Sequence, residues 1–412
     1  MNFIAVVIII ALFSDYFLHA VADYLNIRSL KKELPQSFKG LYDDQRYAES
    51  QEYLRVNTRF GIVSATFNLV VLLIFWFGKG FPYLDHWARS WHTGPVITGL
   101  IYIGSLLLLK GILSLPFSIY STFVIEERFG FNKTTWRTFG ADLLKGLVLS
   151  AILGGIVIAL VMSFFEYFGK NGWWYCWIAL TILLLILQYI VPTWIMPLFN
   201  KFKPLEDGSL KTAIMDYARS IQFSLDNIFV MDGSKRSSKS NAFFTGFGKN
   251  KRIVLFDTLI EKHSIDELVS VLAHEMGHYK KKHILKMMII SICHSGFLLF
   301  LISRFISYEP LFQAFFMTQV SIYAGLIFFG MLYAPIDFFL GILLQGFSRK
   351  NEYEADRFSA ATSKKPLALG QALKKLAVDN LSNLTPHPLY VYLHYSHPPI
   401  LKRVAEIEKM TI

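Results

Sequence analysis

Three observations predict a multi-pass α-helical membrane protein that carries one soluble domain of helices and a small sheet. The 412 residues are 53% hydrophobic and only 17% charged, with a mean hydropathy of +0.41, too apolar for an ordinary soluble chain. Seven apolar runs each approach or exceed the length that crosses a bilayer. Loops rich and poor in lysine and arginine alternate along the chain, as membrane topology requires.

The runs fall at 1–25, about 61–78, 96–115, 144–168, 174–199, 285–303 and 314–345. The first could be a cleaved signal, with Ala20-Val21-Ala22 resembling a cleavage site. However, no basic residue precedes it, and Asp15, His19 and Asp23 recur every four residues, so a retained span with one polar stripe is expected. Arg28, Lys31, Lys32, Lys39, Arg46, Arg55 and Arg59 lie between spans one and two, and Arg128, Lys133 and Arg137 between three and four. The alternate loops hold Lys79 and Arg89, then Lys170, then Arg304. Seven crossings put every rich loop on one side, so the N-terminus faces away from the cytoplasm and the soluble parts face it. Asp15, His19, Asp23, Gln188, His294 and Asp337 sit at membrane depth, where polar groups pair with one another or line a wet cavity.

The net charge of +11 is read as topology and contact with anionic headgroups, not nucleic-acid binding. Cys176 and Cys293 both lie in apolar runs, which excludes a disulfide framework and a thiolate metal site. The expected organisation is a five-span region over 1–200, a soluble segment over 201–284, spans six and seven over 285–347, and a second soluble segment over 348–412. Within the first soluble segment, Asn227–Asp232 and Arg252–Asp257 read as strands, with Ala242–Thr245 as a hairpin partner of the latter. Pro192 and Pro197 are expected to break the helix before it.

The chemistry concentrates in VSVLAHEMGHYKKKH, residues 269–283. His274 and His278, four apart on a helix, share one face, with Glu275 beside them. Asp266 and Glu267 at the start and Lys280, Lys281 and Lys282 at the end suit the helix dipole. Ser264 with Glu267 three residues on forms a capping box. Two imidazoles and one carboxylate leave a zinc position open for water, lowering its pKa to about 7. An adjacent carboxylate can take the proton of that water as it attacks a carbonyl.

A third ligand is needed. Downstream carboxylates are few until Asn351-Glu352-Tyr353-Glu354-Ala355-Asp356, where Glu352 and Asp356 share a helix face and Glu354 points away. Glu352 could ligate with Asp356 behind it, or the reverse; a merely solvated acidic face is the alternative to both. His397, before Pro398 and Pro399, could stabilise an oxyanion. The edge strand Ala242–Thr245 could dock an extended peptide through its main chain.

Over nearly its whole length the chain resembles the CAAX prenyl protease 1 family, integral-membrane zinc metalloproteases related to the bacterial membrane protease HtpX. FVIEERFGFNKTT (123–135), MPLFNKFKPLEDGSLK (196–211), VMDGSKRSSKSNAFFTGFGKNKRIVLFDTLIE (230–261), ELVSVLAHEMGHYKKKH (267–283), SRKNEYEAD (348–356) and HYSHPPILKR (394–403) carry the likeness. The resemblance implies seven transmembrane helices ringing a large water-filled chamber, capped by a cytoplasmic gluzincin-type domain. It implies one zinc per chain on His274, His278 and Glu352, Glu275 as general base, and Asp356 as supporting carboxylate. It places Asn241 and His397 at the active site, with Ala242, Phe243 and Phe244 on the substrate strand. The implied partners are a peptide or protein substrate, prenylated or membrane-embedded, and the lipid bilayer; a monomer is expected, though nothing in the sequence fixes the oligomeric state.

The chain departs from eukaryotic members in its short 304–313 connection and in an end, Lys409-Met410-Thr411-Ile412, without a dilysine. This suggests a prokaryotic member in an inner membrane rather than the endoplasmic reticulum, and puts a prenylated substrate in question. Quality control of membrane proteins in the HtpX manner is then the alternative. A transporter or scaffold with a structural metal is a third reading, which calls for four protein ligands.

Overall fold

The computed structural model describes residues 2–225, 227–245, 252–363 and 365–410. Among them, six helical runs are long and apolar enough to cross a membrane: Phe3–Arg28, Asp44–Phe77, Pro95–Glu126, Trp136–Phe199, His283–Phe305 and Ile322–Thr362. Their outer faces suit lipid and not water, since Ile74 and Leu343 each keep 67% of their surface exposed.

Seven expected runs map onto six because 144–168 and 174–199 share one run of 64 residues. That run folds back at Gly169–Asn171, where Gly169 takes φ 53°, a conformation glycine adopts without penalty. The two arms approach closely. A Cβ at Gly172 would sit 2.4 Å from the Phe164 carbonyl oxygen, and the Phe164 and Tyr175 rings stack with centroids 6.4 Å apart. The second arm is not ended by its prolines. It loosens into a π turn over Val191–Ile195 and runs on to Phe199, because a wide turn tolerates the missing proline N–H.

Two spans continue as helix outside the expected membrane length. The Asp43 side chain accepts from Arg46 N at 2.6 Å, starting Asp44–Phe77, so the charged segment and the second span form one rod. Likewise the 322–345 part of the seventh run and the acidic stretch after Ser348 join in one 41-residue helix, Ile322–Thr362, while 315–321 stay outside it. Only Gly346 and Phe347 lie between them, and a single glycine costs a helix about 1 kcal/mol without breaking it. The expected boundary at 347/348 therefore falls inside a helix, which carries the acidic residues rigidly on the end of a span.

The soluble lobe has a four-stranded sheet of order β1 (Phe202–Pro204), β2 (Asn227–Met231), β4 (Arg252–Phe256), β3 (Ala242–Thr245). β2 and β4 are parallel, and β3 pairs antiparallel with β4 from Ala242↔Leu255 to Thr245↔Arg252. β1 escaped the sequence reading because Pro204 marks it as a linker; proline is tolerated here because β1 is an edge. Residues 246–251, between β3 and β4, lie outside the described residues, as do Thr411 and Ile412. Ile253, Leu255, Leu272, Ala273 and Met276 are buried between the sheet and helix Ile265–Lys280.

The polar groups at membrane depth largely pair. Asp15 lies 3.3 Å from His19 Nε2, His19 Nδ1 lies 3.2 Å from His394 Nε2, and His294 Nε2 lies 2.8 Å from Tyr333 Oη. Asn26 Oδ1 accepts from Asn383 Nδ2 and from His387 N, each at 3.1 Å. The first helix thus anchors the segment that leads to His397.

Gly172→Ala should lower the stability of the detergent-solubilised protein by about 1–3 kcal/mol, read as a shift in thermal unfolding. An unshifted transition would mean that the close contact of the two arms is absent.

Candidate metal centre

Helix Ile265–Lys280 starts where the sequence places it. Ser264 N donates to Glu267 Oε2 at 2.8 Å, and Glu267 N donates to Ser264 Oγ at 3.4 Å, closing the capping box. The long helix Ile322–Thr362 crosses it at Gly277. A Cβ there would lie 3.1 Å from Phe358 Cδ1 and 3.3 Å from Ala355 Cα, so glycine permits the approach. Ser359 Oγ donates to Ser270 O at 2.8 Å and stitches the two helices together. This crossing sets Glu352 over the two histidines.

His274 Nε2 and His278 Nε2 lie 3.1 Å apart. Glu352 Oε2 is 3.4 Å from the first, and Glu352 Oε1 is 3.3 Å from the second. Metal–ligand distances of about 2.0–2.2 Å make a tetrahedral edge of about 3.3–3.6 Å, close to these three separations. Glu352 Oε2 is buried without a hydrogen-bond partner, an orphan that a cation would satisfy. All three groups can hold one metal ion, and the fit is good. Burial disfavours charge on His274, but the neighbouring carboxylates of Asp356 and Glu352 outweigh it and push the imidazole up to about 9. The same negative field favours a bound divalent cation. Glu275 is half-buried beside the pair, and burial raises its carboxyl while both histidines pull it down.

Asp356 Oδ1 lies 2.9 Å from His274 Nδ1. Behind it stands Arg403, a residue the motif reading did not single out. Its Nε and Nη2 donate to the two Asp356 oxygens at 2.8 and 2.6 Å, and Nη1 is 3.5 Å from Glu352 Oε2. The only signal in the sequence is an arginine on the apolar face of helix Ile400–Lys409, beside buried Val404 and Ile407. His283 was missed too. Its Nδ1 lies 3.1 Å from His278 Nδ1 and its Nε2 lies 3.2 Å from Glu354, so Glu354 points away from the ligand cluster yet reaches it through this ring.

His397 joins the cluster, with Nε2 3.4 Å from Glu352 Oε1 and Nδ1 2.9 Å from Ser396 Oγ. Arg349 Nη1 donates to Tyr395 O at 2.6 Å and ties that loop to the helix bearing Glu352. β3 is less uniform than the sequence implied. Thr245 lines a cavity of about 710 Å³ with Gln188, His278, His283, Ser348 and Asn351. Phe244 turns into the core against Phe223 and Tyr279, and Phe243 packs on Phe256. Asn241 Oδ1 accepts from Ala242 N at 2.8 Å, at the opposite end of β3 from Thr245.

A helical membrane domain bearing this centre defines an integral-membrane metallopeptidase. Residues 23–201 match the model described as CAAX prenyl protease N-terminal, five membrane helices, and residues 204–411 match peptidase family M48. CAAX prenyl protease 1 of Saccharomyces cerevisiae is 37% identical over 93% of this chain and 91% of its own length. The human homolog is 34% identical over 92% and 89%. The crystal structure of S. mikatae Ste24p superposes with a TM-score of 0.93 at 34% identity, covering 99% of this chain and all of that one. The chain therefore belongs to the CAAX prenyl protease 1 family of M48 membrane metalloproteases. That membership sets aside the transporter or scaffold reading. These three relatives are eukaryotic, and nothing in them supports a prokaryotic source.

Arg403→Met should destabilise the fold by about 3–5 kcal/mol, because it leaves two buried carboxylates without their cation. Arg403→Lys should restore little, since the fork donates to both Asp356 oxygens. Thermal unfolding of metal-free protein is the measurement.

Proposed function

We propose that this chain is a zinc endopeptidase that removes the C-terminal tripeptide from prenylated CAAX proteins. The convergence of His274, His278 and Glu352 ligand atoms within 4.8 Å of one another is the observation that carries it. These three residues would hold one zinc ion. When bound, the ion supplies Lewis acidity and water acidified to a pKa of about 7. Glu275 takes the proton of the attacking water and returns it to the leaving amine, a task suited to a carboxyl raised by burial. His397 Nε2 donates to the developing oxyanion. Asp356, itself held by Arg403, accepts from His274 Nδ1 and keeps Nε2 free to ligate.

The free edge of β3 receives the substrate as an added strand. Main-chain pairing from Ala242 to Thr245 aligns the peptide toward the cavity shared by Thr245 and His278, with Asn241 at the other end. Phe243 and Phe244 shape the strand through its packing. The membrane domain has seven crossings around a chamber, the 64-residue run counting as two. The 1–200 and 285–347 regions form it, and 201–284 with 348–412 form the peptidase lobe. Loop charge turns that lobe to the cytoplasm, in the endoplasmic reticulum membrane of a eukaryotic host or the inner membrane of a prokaryotic one. The working unit is a monomer.

Glu275→Gln should cut peptide hydrolysis by about 10²–10⁴-fold while purified protein keeps one zinc by metal analysis. Undiminished hydrolysis would overturn the role of Glu275, and a wild-type protein without zinc would overturn the metal assignment. A farnesylated CAAX peptide should be cleaved faster than its unprenylated twin. Equal rates would favour the quality-control reading over CAAX processing.

A further inference from the structure

The two candidate ligand histidines are supported differently. His274 Nδ1 faces the Asp356 carboxylate at 2.9 Å, a common support for a metal-bound imidazole. His278 Nδ1 faces another imidazole, His283 Nδ1, at 3.1 Å. Only one of two facing ring nitrogens can carry the proton between them, so the far side of His283 decides which. There, His283 Nε2 lies 3.2 Å from Glu354 Oε2, and a carboxylate can only accept. Nε2 therefore bears the His283 proton, and His283 Nδ1 presents a lone pair. The proton on the near side belongs to His278 Nδ1, which leaves His278 Nε2 as the lone pair aimed at Glu352 and His274.

The placement of His283 is built by the backbone. Helix Ile265–Lys280 ends at Lys281, Lys282 takes a left-handed φ of 59°, and His283 opens the next helix, His283–Phe305. That turn folds the ring back over His278, where it is 2% exposed. A non-glycine residue in the left-handed region costs about 1 kcal/mol or more. The tight corner thus secures an imidazole against a candidate metal ligand.

Building on the zinc reading above, we propose that His283, held by Glu354, is a positioning residue that fixes the tautomer and orientation of His278 as a metal ligand. It takes for His278 the part that Asp356 takes for His274. Its support is a neutral ring and not a carboxylate, so the centre gains an oriented second histidine without a third buried negative charge against Glu352 and Asp356.

A pair of substitutions separates this from packing. His283→Asn keeps an acceptor at the Nδ1 position and loses volume; His283→Leu keeps volume and loses the acceptor. Zinc dissociation constants come from competition with a chromophoric chelator on full-length, detergent-solubilised protein, with monodisperse elution as the folding control. His283→Leu should bind zinc about 10–100-fold more weakly, while His283→Asn stays within about 3-fold of wild type. An unchanged His283→Leu, or an equal loss in both variants, would overturn the proposal. Should the leucine variant not elute as a single species, Glu354→Ala carries the test. Loss of the fixed tautomer should weaken zinc several-fold, and unchanged affinity would overturn the role. A wild-type protein that binds no zinc would instead sink the metal-centre reading itself.

Discussion

Burying two carboxylates four residues apart on one helix is the constraint on which the rest depends. Glu352 and Asp356 are 4% and 1% exposed, and ionised carboxylates cannot leave water unless cations and donors replace it. Arg403 from the last helix forks onto Asp356 and approaches Glu352, and the paired histidines supply the remainder. Even so, Glu352 Oε2 stays without a hydrogen bond, which is the electrostatic case for a cation at this point. Three helices must meet to satisfy that charge, and their meeting builds the candidate centre.

The membrane domain contributes rigidity as well as anchorage. Glu352 rides on the extension of a membrane-crossing helix, and His283 opens another. The loop carrying His397 is tied by Arg349 to the first of these and, through Asn383, His387 and His394, to the helix at the chain's start. Helices fixed in a bundle hold side chains more exactly than loops do. The candidate centre therefore sits where soluble lobe and membrane helices share the same continuous rods.

Much of this was legible in order along the chain. The H-E-x-x-H helix could be read because its capping box, dipole charges and four-residue spacing are all local. The β3–β4 hairpin could be read from strand composition. Strand β1 could not, because three residues ending in a proline give no periodic signal. The fused helices were hidden as well. Hydropathy reports where lipid ends and not where hydrogen bonding ends, so Asp44–Phe77 and Ile322–Thr362 read as a span plus a separate polar segment. Arg403 was concealed because a lone arginine on an amphipathic helix looks like surface until its partners are known.

By itself, then, the sequence determined the membrane character, the position of the metal-binding motif and the family likeness, all properties of composition or short spacing. Spacing left Glu352 and Asp356 interchangeable as ligand. The tertiary structure puts Glu352 against both Nε2 atoms and Asp356 behind His274, because the crossing at Gly277 sets the helix's rotation. It also recruited His283 and Arg403, since which buried charges and rings meet depends on how helices cross, and no local pattern encodes that.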